Sequence, residues 1–280
     1  MALQTSGAIS LLDIQNEFGG SNPISMSEYY GVASGIPSSG TIGFADFYGK
    51  SNTFTLTISS NTANLNVSSA ATSAGWDGSS SLEVVINAGV YVYATSTSGY
   101  GMTLNVTGAT VTNNGNIIGK GGNGGSSRCA SGASGGDAIN VTVSGTTIVN
   151  NSGAFIAGGG GGGAQRGNSS GGGGGGAGSG TTSGRAGGGG GGYWSGSIYY
   201  PQSGGWGLPG TGGQSHWNGT TGGSAGNAGQ SASISNQSGA GGGWGARGGN
   251  STCGSGGNGG DAIVGTSRTL TNNGTIYGST

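Results

Sequence analysis

The sequence predicts a mostly β and non-regular protein, with a small N-terminal module of helical turns, a β-rich middle and a C-terminal polyglycine II helix sandwich or solenoid. Three observations carry that expectation. Residues 1–50 repeat a short motif built on an acid and an apolar or aromatic residue. Residues 51–110 alternate polar and apolar side chains, and residues 111–280 hold most of the 74 glycines.

The N-terminal repeat begins as Ile9-Ser10-Leu11-Leu12-Asp13-Ile14. It is echoed by Ile24-Ser25-Met26-Ser27-Glu28-Tyr29-Tyr30-Gly31 and by Ile42-Gly43-Phe44-Ala45-Asp46-Phe47-Tyr48-Gly49. Ser10 and Ser25 stand three residues before Asp13 and Glu28, the spacing of a helix capping box. Leu11, Ile14 and Phe18 then share one helical face, and Gly19-Gly20 supplies a stop. So short a stretch makes at best a marginal domain. It is expected either to pack on its neighbour or to dock on a larger assembly through Leu11, Ile14, Phe18, Tyr29, Tyr30, Phe44, Phe47 and Tyr48.

From residue 51 the period changes. Thr53-Phe54-Thr55-Leu56-Thr57-Ile58, Leu82-Glu83-Val84, Val90-Tyr91-Val92-Tyr93 and Thr103-Leu104-Asn105-Val106-Thr107 alternate between Ser, Asn and Gly clusters, which is the strand signal.

The glycine-rich half carries a second repeat. Thr112-Asn113-Asn114-Gly115-Asn116-Ile117-Ile118-Gly119 resembles the stretch from Val149 to Gly158 and returns as Thr271-Asn272-Asn273-Gly274-Thr275-Ile276-Tyr277-Gly278. Asn and Gly tolerate positive φ, so each copy reads as strand, turn, apolar pair and glycine tract. Gly135-Gly136-Asp137-Ala138-Ile139 also matches Gly259-Gly260-Asp261-Ala262-Ile263, with Cys129 and Cys253 at equal distances before them. Repeats on this scale imply stacked units sharing a core.

Three glycine runs are six residues long: Gly158–Gly163, Gly171–Gly176 and Gly187–Gly192. In polyproline II geometry the chain rises about 3.1 Å per residue with three residues per turn and bonds none of its own backbone groups. Buried N–H and C=O groups need partners, and rods without side chains can approach closely enough to bond laterally. Each glycine loses much backbone entropy on ordering, so only a cooperative lattice packed on apolar surface holds such rods. The competing reading is a flexible linker. After the third run lies an aromatic stretch flanked by glycine, with Tyr193, Trp194, Tyr199, Tyr200, Trp206, His216 and Trp217. Tyr and Trp suit recognition surfaces, and the same rings could instead cover the lattice faces; Trp244, amid glycine, reads as packing.

The chain excludes other classes. Net charge is −1 and the seven cations are scattered singly, so no footprint for nucleic acid exists. No apolar stretch is long enough for membrane insertion, and the N-terminus lacks the pattern of a secretory signal. His216 is the single histidine, and nothing beside it in sequence suggests a triad. Asp137 and Asp261 read as equivalent turn or cap residues. No catalytic group, metal site or cofactor is expected, and the glycine tracts lack the Gly-Lys-Ser/Thr of a phosphate loop. Cys129 and Cys253 are either a disulfide linking the two repeat blocks or two small buried thiols.

The segments Gly7 to Gln15, Glu17 to Gly20, Ile24 to Gly31 and Phe44 to Gly49 resemble stretches common in phage virion and tail-fibre proteins. The glycine-rich half resembles the tail-fibre adhesins of T-even phages, in which polyglycine II helices form a sandwich and loops between them contact the host receptor. The resemblance implies a virion appendage, made in the host cytoplasm, that docks on other virion proteins through its N-terminal region. Its partner on the host would be a surface glycan or an outer-membrane protein, and a homotrimer is a candidate assembly. The alternative is a purely structural virion component: a decoration, head-fibre or tail-assembly protein. A third reading, an ice- or surface-binding protein, is disfavoured by the irregular aromatic loops.

Overall fold

The computed structural model describes residues 2–33, 35–125, 127–166, 220–233 and 238–280, together with the backbone of Tyr193–Ser195 and Ile198–Tyr200. Alternating strands bury one face only where neighbours stack in register. Here they stack parallel, three to a turn, as a solenoid. The first turn is β1 (Thr53–Ile58), β2 (Thr62–Ala63) and β3 (Leu65–Asn66), followed by helix α2 (Val67–Ser73). The second is β4 (Ser81–Ile86), β5 (Tyr91–Tyr93) and β6 (Met102–Leu104), and the third is β7 (Thr110–Asn113), β8 (Asn116–Ile118) and β9 (Ile139–Val141). In the fourth, β10 (Thr147–Asn150) and β11 (Phe155–Ala157) precede a long excursion containing the hairpin β12 (Tyr193–Ser195) and β13 (Ile198–Tyr200). The chain then returns as β14 (Ile263–Gly265), and β15 (Thr269–Asn272) and β16 (Thr275–Tyr277) end the stack. Its three faces are β1-β4-β7-β10-β15, β2-β5-β8-β11-β16 and β3-β6-β9-β14.

Inward rows of side chains form the core. Leu56, Val84, Val111, Ile148 and Leu270 stand in register on the first face, Val92, Ile117, Ile156 and Ile276 on the second, and Leu65, Met102, Ile139 and Ile263 on the third. A border at residue 110 therefore runs through the solenoid: β7 pairs with β4, and the last strands return to it after the glycine-rich excursion. The helix α2 lay unforeseen within the β-rich segment. Val67 and Ala71, one turn apart, enter the core, and the Asn66 side chain caps the start by accepting from the Ser69 N–H at 3.0 Å.

The Asn-Asn-Gly repeats form one corner of the solenoid. Asn113 Nδ2 donates to Asn150 Oδ1 and Asn150 Nδ2 to Asn272 Oδ1, both at 2.8 Å, while Asn113 Oδ1 accepts from the Gly115 N–H at 3.1 Å. These asparagines continue the inward row begun by Ile58 and Ile86. Polar side chains fit there because each satisfies the next.

Residues 2–50 hold a small core of their own, with Ile14, Tyr29 and Phe47 at its centre. Each is the residue following the acid of one repeat. The first copy is α1 (Leu11–Phe18), and the other two are 3-10 turns, Met26–Tyr29 and Phe44–Phe47. The Ser10 N–H donates to Asp13 Oδ2 and the Gly43 N–H to Asp46 Oδ2, each at 2.8 Å, as the capping spacing requires. Glu28 departs from the pattern and accepts instead from the Ser21 N–H at 3.0 Å. The Ser10 hydroxyl and N–H hold the Asp13 carboxyl below the usual carboxylate range. The module joins the solenoid through the Asn52 N–H, which donates to Glu17 Oε1 at 2.9 Å.

Candidate functional site

The glycine-rich segments leave the solenoid at one corner, between its second and third faces: residues 119–138 join β8 to β9, and residues 158–262 join β11 to β14. Among the described residues they form eight extended rods: 119–125, 130–138, 158–165, 220–226, 227–233, 238–245, 246–250 and 254–262. The third rod shows the rule of assembly. Its Gly159, Gly162 and Gln165 N–H groups donate to Gly136, Ala133 and Ala130 of the second rod, each at 2.9 Å. Gly161 and Ala164 donate to Ala246 and Gly249 of the seventh, at 2.9 and 3.0 Å. Its carbonyls accept from Gly122 and Gly125 of the first rod, Gly239, Gly242 and Gly245 of the sixth, and Gly257 and Gly260 of the eighth. Partners recur every third residue, which is the threefold repeat of polyglycine II.

Such spacing leaves no room for a side chain. A Cβ on Gly162 would lie 1.9 Å from the Asn123 carbonyl oxygen, and one on Gly159 would lie 2.0 Å from that of Lys120. Side chains are admitted where a rod faces outward, again every third residue: Ser131, Ser134 and Asp137 on the second rod, and Ser255, Asn258 and Asp261 on the eighth. Asp137 acts structurally, since its Oδ1 accepts from the Asp261 N–H at 2.8 Å. Lys120 also faces outward, and partial burial pushes its ammonium below the usual lysine range.

An aromatic cluster fastens the lattice to the solenoid. Trp244, at the end of the sixth rod and 3% exposed, packs with Phe155 and Tyr277 on the outer side of the second face, at ring-centroid distances of 5.8 and 5.9 Å. Tyr93, Ile118 and Ala157 complete the contact. Trp244 is packing, as its place amid glycine suggests, but its partners on the solenoid were missed, although their signal is present: Tyr91-Val92-Tyr93 and Asn116-Ile117-Ile118 are apolar at both parities, the mark of a strand covered on both sides.

Rods run alternately away from the solenoid and back, so the outer ends of the first, third, fifth and seventh rods gather at the far end. There the Arg166 N–H donates to Ser238 Oγ at 3.2 Å, and Thr220 Oγ1 donates to the Ser238 carbonyl at 2.7 Å. Residues 166, 220 and 238 thus meet at one place. Cys129 and Cys253, on the connections after the first and seventh rods, are joined by a disulfide with a Cα–Cα distance of 5.0 Å. Beside it, a cleft of 280 Å³ is lined by Ser131, Asn250, Thr252 and Ser255. Arg128 and Arg166 lie at this end, and the Arg247 guanidinium reaches it by donating to Asn250 Oδ1 at 3.0 Å.

The residues expected to contact a receptor all belong to the segment that leaves and re-enters here. Backbone pairing sets Tyr193 opposite Tyr200 and Trp194 opposite Tyr199 in the β12–β13 hairpin. Trp206, His216 and Trp217 lie outside the described residues, as do the runs Gly171–Gly176 and Gly187–Gly192.

The expected docking set divides. Ile14, Tyr29 and Phe47 are 0%, 1% and 0% exposed, so they build the module's own core and are corrected from docking contacts to core residues. Leu11 and Phe18 are half-buried, and Phe18 packs edge-on against Phe47. The Tyr30 and Tyr48 hydroxyls donate to the Gly40 and Gly7 carbonyls. Phe44 remains exposed, joined by Leu12, which the helical-face reading passed over. No group of three or more His, Cys, Asp or Glu side chains able to hold a metal exists among the described residues, and no helix among them is long and apolar enough to cross a membrane.

The model of the family described as phage tail fibre adhesin Gp38 matches residues 53–280, which is the solenoid with its glycine lattice. Among solved structures, the crystal structure of the gp37–gp38 adhesin tip complex of the bacteriophage S16 long tail fibre is similar. The match has a TM-score of 0.51 and 20% sequence identity, and covers 98% of this chain and 99% of the other. No curated protein matches the sequence.

Proposed function

Because the chain belongs to the Gp38 family of phage tail fibre adhesins, we propose that it forms the host-binding tip of a tail fibre and acts by binding, without catalysis. Family membership makes it a component of the virion tail. The observation that supports the finer reading is the course of the chain through the lattice. Rod three leads outward to Arg166, and the chain resumes at Thr220 beside it, so the segment between them departs from and returns to the end opposite the solenoid. That segment holds Tyr193, Trp194, Tyr199, Tyr200, Trp206, His216 and Trp217. A backbone-bonded lattice gives such a segment a base that does not yield when it is pushed against a surface, and a pre-ordered base lowers the entropy lost on binding.

The receptor is a surface glycan or an outer-membrane protein of the host, and attachment to the fibre runs through the N-terminal region. In the similar phage S16 structure the relative is bound to gp37, and the exposed Leu12 and Phe44 offer apolar contact for an equivalent partner here. Exchanging residues 193–218 for those of a related adhesin, in an otherwise unchanged phage, tests the reading. Loss or redirection of adsorption with intact virions is the expected result; unchanged adsorption to the original host rejects it.

A further inference from the structure

A second recessed surface lies on the first two turns of the solenoid, at the corner between the third and first faces and therefore away from the corner that bears the lattice. It is a groove of about 550 Å³, within the range of about 300–1,000 Å³ for small-ligand sites. Three segments wall it: α2 with Trp76, the turn at residues 78–81, and the loop at residues 105–108.

Its chemistry is specific. No charged side chain lines it. Ser68, Thr72 and Thr107 line it, and their hydroxyls bond no other group among the described residues. The Ser79 and Ser80 hydroxyls each donate to the Asp77 carboxylate at 2.9 Å, which leaves their oxygens free to act as acceptors. Asp77 also accepts the Ser79 and Ser80 N–H groups at 2.9 and 2.8 Å, so the turn is fixed before any ligand arrives. Those bonds, the Ser80 N–H foremost, hold its carboxyl far below the usual carboxylate range. Trp76 is locked by its own Nε1–H, which donates to the Ser80 carbonyl at 2.8 Å, and its half-exposed ring supplies the apolar wall.

A groove with free hydroxyls, acceptors prepared by the Asp77 carboxylate and one aromatic wall matches a molecule that carries many hydroxyls and one apolar face. We infer that this groove binds a neutral pyranose unit of a glycan, with the ring's apolar face on Trp76 and its hydroxyls on Ser79, Ser80, Thr72 and Thr107. Such a site is separate from the far-end loops and stands whether or not those loops bind a receptor. A secondary glycan contact on the solenoid would hold the fibre tip near a sugar-coated surface between stronger encounters.

The test is saturation-transfer NMR on the full chain with the methyl pyranosides of glucose, galactose, mannose and N-acetylglucosamine, together with the Trp76 indole N–H signal. At least one sugar should bind with a dissociation constant on the order of 1 mM and shift the Trp76 signal. The double variant Thr72→Val/Thr107→Val keeps shape and alters only exposed hydroxyls. It should bind roughly tenfold more weakly, with unchanged thermal unfolding. Binding by none of the four sugars overturns the inference. So does binding that leaves the Trp76 signal unmoved, or that persists undiminished in the folded double variant. Adsorption is not part of the readout, so this inference and the tip reading fail independently.

Discussion

In the solenoid, Ile148, Ile156 and Ile263 sit in rows and contribute the area they remove from water, about 25 cal/mol per Å². In the lattice, Gly158 to Gly163 are as completely buried and contribute no side chain at all. Their role is to be absent, so that five neighbouring rods reach the third rod's N–H and C=O groups. The solenoid tolerates changes in shape because side chains can repack. The lattice cannot, because what fills its interior is backbone. Burial in this molecule is therefore reached in two ways, by filling space and by leaving none to fill.

That contrast can be broken or sharpened by mutation. The largest effect is expected at the far end, where the Cys129–Cys253 bond closes a loop across a sequence separation of 124 residues. In the chain-entropy model such a loop is worth about 4–5 kcal/mol. Reductant should lower the denaturant midpoint of the lattice and leave the solenoid's transition in place; equal loss in both would mean the two regions unfold as one. Next comes Gly162→Ala, whose Cβ meets the Asn123 carbonyl oxygen at 1.9 Å. It should cost about 3 kcal/mol, whereas Ile156→Val in the solenoid should cost about 1 kcal/mol. A Gly162→Ala cost no greater than that of Ile156→Val would end the claim that the lattice has no slack.

Within the solenoid, Asn150→Ala removes the middle of the asparagine ladder and leaves the Asn113 amide with one partner fewer. Calorimetry should find a loss of about 1–3 kcal/mol, as for a buried polar group left unsatisfied. The smallest effect is expected at Asn258→Ala. This residue is on the eighth rod, whose Gly257 N–H donates to the Gly162 carbonyl, but faces outward, so equilibrium unfolding should change by less than about 0.5 kcal/mol. A large loss there would mean that the outward positions also bear on the packing.

Much of this was legible along the chain. The capping acid Asp13, the alternation of β1 and β4, the Asn-Asn-Gly corners and the extended run Gly158–Gly163 are all local patterns. They follow from hydrogen-bond geometry over a few residues. What escaped was non-local. Ile14, Tyr29 and Phe47 look like a surface set because each opens an aromatic or apolar patch in its own repeat; only their convergence makes a core. The groove under Trp76 escaped for the same reason, since it joins residues 68–81 to residues 105–108.

By itself, then, the sequence determined the kinds of element: short capped turns, half-buried strands, and rods that can be ordered only by one another. The tertiary structure alone decided where these pieces meet. It placed the glycine lattice as an excursion from one corner of the solenoid rather than as a separate C-terminal domain. It also brought Cys129 to Cys253 and residue 166 to residue 220. The physical reason is that strand and rod propensities depend on neighbours in the chain, whereas register and lateral hydrogen bonds depend on segments more than a hundred residues apart.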